Sequence, residues 1–467
     1  MSTASTHAGD GQIPAKGTHP FDYYYRPGME LRPLPPRVGL APAWIPLRRL
    51  LFSSFMTVED KPASTPITSL AADHLWQGDE LMDDVALMFK RVGPRHGRAM
   101  LLRALDDGIE SLENPPAELM ALFAHLDNPP PWYDPDIFER GRVLYATTTV
   151  FGTVGTFLFD AVLNALYEEV SNAVGETGRS LREPVLRNAE AFHWLSSLAH
   201  PGSMDRNSQP FKDTVRVRLM HAQVRYGLRR TWGDEVFAEN GNPITASTTA
   251  SAIGVLGLSM LLIDHGLGRR RSREDRDAVT MFWSYIVYIL GVPDELVPKN
   301  SHEAMELADF MMATAGRPTK WSPGLASGLQ ELLEALLEGI DNRVLRACAG
   351  RIGVPLVYGY MTYIVGEDLA REFTRGSPAE RCNLERWSRV MHVVAATVAR
   401  ATAVKDRLPG ADSRTRRAAR DGSALQNIIL RLMNDAVSRK NGNQTYTFAA
   451  HDKTNRSGSV DRLPRPR

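Results

Sequence analysis

Cysteine is nearly absent from this chain, which has only Cys348 and Cys382 in 467 residues. Two thiols provide neither a disulfide framework nor the ligand pattern of a structural zinc site, so a reducing compartment is expected. The N-terminus also lacks a basic segment followed by an apolar core, the pattern of a secretory signal. These absences predict a cytoplasmic location.

An excess of charge of either sign is also lacking, since 55 Lys and Arg residues balance 54 Asp and Glu residues. The overall balance gives no electrostatic basis for binding nucleic acid, and none for predicting attachment to an anionic membrane. Strand-like alternation is scarce, and no glycine-rich nucleotide fingerprint follows an apolar strand. The composition, 43% hydrophobic and 23% charged, is that of a folded protein.

Apolar residues recur at helical intervals from about residue 68 onward. This spacing predicts one large all-α domain over residues 46–438. The proline-rich segment 1–45 is expected to form an extended arm, and the polar, basic segment 439–467 a disordered tail. Two long apolar stretches, 151–166 and 247–263, are short for membrane spans and are expected to be buried central helices.

The most informative segment is Thr214-Val-Arg-Val-Arg-Leu-Met-His-Ala-Gln-Val-Arg225. On a helix, Arg218, His221 and Arg225 stand at i−3, i and i+4, so all three are expected to project from one otherwise apolar face. Burying three polar side chains is costly unless something pairs with them. A b-type haem would satisfy the set, with His221 on the iron and the two arginines on the propionates. The alternative is a core histidine between structural ion pairs.

The same segment resembles the helix that carries the proximal haem ligand in the rubber oxygenases, or latex-clearing proteins. Their domain family also contains the oxygenase of mycophenolic acid biosynthesis. Similar landmarks occur in the same order over about residues 90–400: Gly175-Glu-Thr-Gly-Arg179, Arg187, Trp232-Gly-Asp234, Gly241-Asn-Pro-Ile244, Asp264-His-Gly-Leu267 and Trp283–Val292.

The resemblance implies a haem b-dependent oxygenase whose helices pack in a globin-like manner around a haem pocket. Such an enzyme would use O₂ to cleave or oxygenate a carbon–carbon double bond in an apolar substrate, for example an isoprenoid or lipid. His221 would be the iron ligand, with Arg218 and Arg225 as cofactor-binding residues. The chain departs from the secreted rubber oxygenases in lacking a recognisable export signal, which argues against an extracellular polymer as substrate.

The residues expected on the distal side of the haem match the rubber oxygenases less completely. In rubber oxygenases an arginine, a lysine and a threonine share one helix about thirty residues before the ligand histidine. Arg187, 34 residues before His221, matches the arginine, whereas Glu190 and Ala191 occupy the next expected positions. The family's distal glutamate base has no clear counterpart, and Glu176 and Glu190 are the nearest candidates. We therefore expect Arg187, Glu190 and Glu176 to be the catalytic residues.

Three alternatives remain from the sequence. Loss of the lysine and the threonine is compatible with a non-catalytic haem-binding or sensor protein. The segment Glu190-Ala-Phe-His193 is an ExxH motif of the kind that builds di-iron oxygenases, although such sites need a second copy of the motif. The third is a haem-free helical binding protein in which the histidine helix is simply part of the core.

Overall fold

A computed structural model describes residues 22–408 and 410–441 of the chain. Within these residues every regular element is a helix and no β-strand occurs, which confirms the all-α prediction. Helices α1–α10 span Ile45–Phe52, Pro66–Asp73, Glu80–Val92, Pro94–Asp107, Ala117–Asp127, Pro135–Ala146, Val150–Leu166, Glu168–Thr177, Arg179–Arg182 and Pro184–Leu198. Helices α11–α22 span Gln209–Asn240, Ala246–Ala252, Ser259–Gly266, Arg273–Ile289, Ser301–Ala313, Ser322–Glu338, Arg343–Cys348, Val354–Val365, Glu367–Thr374, Leu384–Lys405, Ala411–Asp421 and Ala424–Asn441.

The long helix α11 carries the histidine segment. It begins at a serine cap, because the Ser208 hydroxyl accepts a hydrogen bond from the Phe211 amide at 3.2 Å and Pro210 fits the first turn. Its only break is Gly233, whose φ of 74° is left-handed and accessible to glycine at little cost. His221 therefore stands in the uninterrupted part of the helix.

The apolar stretch around residues 247–263 forms one continuous helical rod. It consists of α12, a π-helical turn at Ile253–Leu258, and α13. The rod packs against α7, α14 and α15, and 78% of its most apolar window is buried by other parts of the protein. Among the described residues, two segments are long and apolar enough to span a membrane by length and composition. One is this rod, and the other is the pair α6–α7, if these two helices, which are bent relative to each other, are counted as one segment. The burial of the rod agrees with the expected central helix.

The chain ahead of the first helix packs on the domain from Asp22 onward. The Tyr23 hydroxyl donates to Asp73 at 2.7 Å, and the Trp76 indole donates to the Pro33 carbonyl at 2.7 Å. Residues 1–21 of the predicted arm lie outside the described residues. So does the predicted tail beyond α22, which continues to Asn441.

Candidate functional site

A cavity of about 700 Å³ lies between α4, α7–α12 and α16. This volume is within the range of about 300–1,000 Å³ that is usual for cofactor and small-molecule sites. Its walls combine apolar side chains with a few charged ones. The charged residues and the histidine of the lining are Arg98, Asp160, Glu169, Arg179, Arg182, Arg187, Glu190, Arg216 and His221.

His221 lines this cavity with a half-buried ring. Its nitrogens make no hydrogen bond to any group in the described part of the chain. Burial, together with the positive charges of Arg225 and Arg187, lowers the pKa of His221 to about 4. The imidazole is therefore neutral at pH 7, which is the state in which histidine binds a metal, and it lies on the wall of the cavity.

The two flanking arginines turn away from the cavity. At about 100° per residue, Arg218 and Arg225 lie about 40–60° to one side of His221, and Val217 and Val224 about 40–60° to the other. The valines line the cavity, whereas the arginines do not. His221 thus marks the border between the cavity face of α11 and a buried face that packs on α3.

Each of these arginines is held by an aspartate at the N-terminal end of α3, where Asp79 is the N-cap residue and Asp83 lies in the first turn. Arg218 forms a two-bond pair with Asp79, at 2.6 and 2.8 Å, and also donates to the Ile289 carbonyl at 3.1 Å. Arg225 donates to Asp83 at 2.7 Å and to the Ile244 carbonyl at 2.6 Å. Both guanidiniums are at least 97% buried, so the aspartates supply the compensation that burial of the charges requires.

Glycines make room for both pairs. A Cβ atom on Gly78 would lie 2.2 Å from Nε of Arg225, and one on Gly291 would lie 2.2 Å from a carboxylate oxygen of Asp79. Gly291 also has a φ of 94°, which side chains rarely adopt. The two ion pairs therefore depend on the absence of a side chain at Gly78 and Gly291.

The predicted propionate role of Arg218 and Arg225 finds no support in this geometry. Both have protein partners and neither belongs to the cavity wall, so for them the alternative of structural ion pairs is the one observed. The cations that do line the cavity are Arg98, Arg179, Arg182, Arg187 and Arg216.

Arg187 and Glu190 lie one turn apart on α10, and both line the cavity with His221. Glu190 is 2% exposed and pairs with Arg179, while Nη1 of Arg187 lies 4.0 Å from its other oxygen. Burial raises the pKa of Glu190, and the two arginines oppose this rise. The structure therefore brings three sequence-predicted residues to one cavity.

Glu176 lies elsewhere. Its carboxylate is 3.5 Å from the ammonium group of Lys320, a side chain that is 72% exposed, and it is not part of the cavity wall. An ion pair at the surface of this kind stabilises little and leaves the carboxylate in contact with water. The geometry does not support the catalytic role predicted for Glu176.

Glu169 is a cavity carboxylate that the sequence reasoning missed. It accepts hydrogen bonds from the Thr245 amide at 3.0 Å and the Thr248 hydroxyl at 2.5 Å, which fix its position. Burial raises the pKa of Glu169, and these hydrogen bonds oppose the rise. A fixed, partly desolvated carboxylate beside an apolar cavity has the properties of a general base.

Asp160 is the second missed carboxylate. It interrupts the apolar helix α7 and faces the cavity, where burial raises its pKa to about 6 and the charge of Arg187 opposes this rise. The sequence signal was visible, because an acid within an otherwise apolar helix is expensive and needs a reason.

Asp160→Asn is expected to stabilise the protein at pH 7. Because the folded-state pKa is raised above the ordinary value of about 4, ionised Asp160 weakens the fold near neutrality, and stability recovers as pH falls from about 6 to 4. The variant should melt about 2 °C or more above wild type at pH 7, with the difference vanishing near pH 4. Equal gains at both pH values would contradict the assignment. Thermal unfolding across this pH range measures it.

The ExxH motif does not assemble a metal site with other residues. His193 is not among the residues that line the cavity, and the Glu190 carboxylate faces Arg179. Across residues 22–408 and 410–441, no three His, Cys, Asp or Glu side chains lie close enough together to hold a metal ion. The di-iron alternative therefore lacks the ligand set it requires in the described part of the chain.

Comparison with known proteins agrees with this fold. The family model described as "ER-bound oxygenase mpaB/B'/Rubber oxygenase, catalytic domain" matches residues 147–396, more than half of the chain. Among solved structures, "Structure of Latex Clearing Protein LCP in the closed state" is similar with a TM-score of 0.58 and 17% identity. The similarity covers 80% of this chain and 95% of that one, and at this identity it shows the shared fold. No curated protein sequence matches the chain significantly.

The fold and the match define an oxygenase catalytic domain. The chain belongs to the mpaB/rubber oxygenase family, as its histidine helix predicted. The matched region contains the whole cavity wall except Arg98, Leu101 and Leu102, so the family assignment applies to the candidate site itself.

Proposed function

We propose that this protein is a haem b-dependent oxygenase acting with O₂ on an apolar, unsaturated substrate. The observation that carries the proposal is His221, a neutral imidazole without a hydrogen-bond partner in the described chain, on the wall of a cavity of about 700 Å³. Membership of an oxygenase family supports the reaction class. The apolar part of the wall supports a hydrophobic substrate.

The residues present fit a haem. His221 would hold the iron through a ring nitrogen, and haem would supply the activation of O₂ there. The propionates need cations that face the cavity, which Arg98 and Arg216 provide in place of Arg218 and Arg225. Arg216 is also paired with Asp213 at 2.7 Å, a pair that is partly exposed and so available for exchange.

A carboxylate of the protein would act as the general base that accepts a proton from the substrate. Glu169, fixed by Thr245 and Thr248, is placed to accept a proton from a substrate carbon or hydroxyl in the cavity. Arg187 would stabilise negative charge that develops on oxygen, since its guanidinium is permanently charged and faces the same space. The apolar wall would exclude water, which strengthens both interactions.

The reaction is tested by oxygen uptake with an unsaturated isoprenoid or lipid, together with detection of carbonyl products. Substrate-dependent uptake and stoichiometric carbonyl formation are expected. A haem-loaded protein that consumes no oxygen with any such substrate would instead be the sensor or haem-binding protein that the missing lysine and threonine leave as the second candidate.

Arg187→Ala is expected to lower turnover by about 10²-fold, as loss of one preorganised charged donor often does. Haem content should stay near that of wild type, because Glu190 keeps its pair with Arg179 and the fold loses no obligatory partner. Arg187→Lys, which keeps the charge, should recover part of the activity. The assignment fails if Arg187→Ala loses haem in step with activity. Haem content and oxygen consumption are measured on the same preparations.

A further inference from the structure

Helix α20 is apolar on the side that faces solvent as well as on the side that faces the core. Its core side is formed by Leu384, Met391 and several alanines. The opposite side exposes a row of large apolar side chains, which we call the α20 stripe: Val390, Val393, Val394, Val398 and Val404, with Leu408 just beyond the helix end. Val393 is 63% exposed and Val404 58%.

The stripe follows the helical period. At about 100° per residue, its members lie within about 80° of a common direction, and Thr397 and Ala401 fall inside the same arc. Scattered single apolar residues at a surface are ordinary, but a contiguous row on one helix marks an interaction site. The arc is not covered by other described elements, as the exposures show.

Positive charge borders the stripe. Arg389, Arg400 and Arg407 lie along one edge at about 80–100° from its centre, and Lys405 lies near the other. Residues 381–421 contain ten Arg and Lys against four Asp and Glu, a net charge of +6, whereas the whole chain carries +1. Three of these four acids are engaged, because Glu385 pairs with Arg389, Asp406 with Arg269 and Asp421 with Arg420.

We propose that the α20 stripe docks on the surface of an anionic lipid bilayer. A helix that lies in the interfacial plane needs an apolar face for the acyl boundary and basic residues at its edges for the headgroups, and α20 provides both. The near-neutral charge of the whole chain conceals this local excess. The surface would hold the protein where apolar substrates are dissolved.

Charge complementarity favours lipid over the other occupants. A second copy docking stripe to stripe would bring two strongly basic rims together, which repel. The last 26 residues of this chain, 442–467, carry five Lys and Arg against two Asp and are also positively charged, so they would meet the same repulsion. An anionic bilayer complements the rim and accepts the valines.

The full-length protein is tested by flotation with phosphatidylcholine vesicles that contain or lack phosphatidylglycerol. Binding to the anionic vesicles is expected, with weaker binding to pure phosphatidylcholine and at high salt. The triple variant Val393→Ser, Val394→Ser, Val404→Ser should bind about tenfold or more weakly, because it removes the apolar contact. Its melting temperature should stay near wild type, since all three side chains are exposed.

Two further variants test whether binding depends on the position of the apolar residues and on the basic rim. Met120→Ser with Ile137→Ser removes exposed apolar side chains from α5 and α6 and should bind like wild type. Arg389→Gln, Arg400→Gln, Arg407→Gln should lose the preference for phosphatidylglycerol. Absence of vesicle binding, or binding that survives in the valine variant, overturns the proposal. So does a concentration-dependent dimer that only the valine variant loses, because the occupant would then be a second copy. Neither cofactor nor turnover is measured, so the result is independent of the proposed function.

Discussion

His221→Ala is expected to yield folded, soluble protein with little or no haem. The imidazole is the only protein ligand proposed for the iron, so its removal leaves the cofactor held by its edge contacts alone. Because nothing in the described chain hydrogen-bonds to the ring, the substitution leaves no buried donor or acceptor unsatisfied. Alanine also favours the helix at this position. Haem content per chain, read from the visible spectrum of the purified variant, measures the effect.

Two other histidines serve as controls. His193 lies outside the cavity wall, and the His265 ring packs on Phe55 with the ring centres 4.6 Å apart. His193→Ala and His265→Ala should both keep the cofactor. A His221→Ala protein with full haem content would rule out His221 as the ligand, and haem loss in all three variants would show that the measurement reports the fold rather than the ligand.

Arg218→Ala is expected to destabilise the protein by about 3–5 kcal/mol, because it leaves the Asp79 carboxylate buried without its counter-charge. Denaturant unfolding of the variant measures this loss. The folded fraction should still bind haem, since Arg218 does not line the cavity. Arg216→Ala, a change on the cavity side of the same helix, should show the opposite pattern of weaker haem retention with little loss of stability.

The matched control removes both charges. In the double variant Asp79→Asn with Arg218→Met neither side chain of this pair carries a charge, and asparagine can still cap α3 as Asp79 does through the Met82 amide. Replacing a buried ion pair by neutral groups is often close to neutral, so this variant should recover most of the lost stability. An Arg218→Ala protein that is stable but loses haem would contradict the ion-pair assignment and support the propionate role predicted from the sequence.

The fold class and the position of the histidine helix were predictable because both depend on local pattern. Helical periodicity persists over long segments, and caps such as Ser208 lie within a few residues of the helices they begin. The family resemblance also depended on a short segment around His221. These features need no knowledge of distant contacts.

The partners of the arginines were not predictable from a single sequence. Asp79 and Asp83 lie 139 and 142 residues before the arginines that they bind, and nothing in the local pattern joins them. Without those partners, a haem propionate was the available explanation for Arg218 and Arg225. Spacing alone could not decide, because a rotation of only about 50° around α11 separates His221 from the two arginines of the ion-pair face.

The distal carboxylates were difficult to assign from the sequence for a related reason. Glu176 was favoured by its nearness in sequence to a family landmark, but it points to Lys320 at the surface. Glu169 was overlooked because its role depends on Thr245 and Thr248, which lie 76 and 79 residues further along the chain. Asp160 is different, because an acid within an apolar helix is a local signal that the sequence shows directly.

The visible absorption spectrum of the purified full-length protein, with its iron content, tests the central claim most directly. We predict a Soret band and about one haem iron per chain, either as isolated or after incubation with haemin. A colourless protein that binds neither iron nor haemin, although correctly folded, would contradict the account and leave His221 as a cavity residue of a haem-free protein.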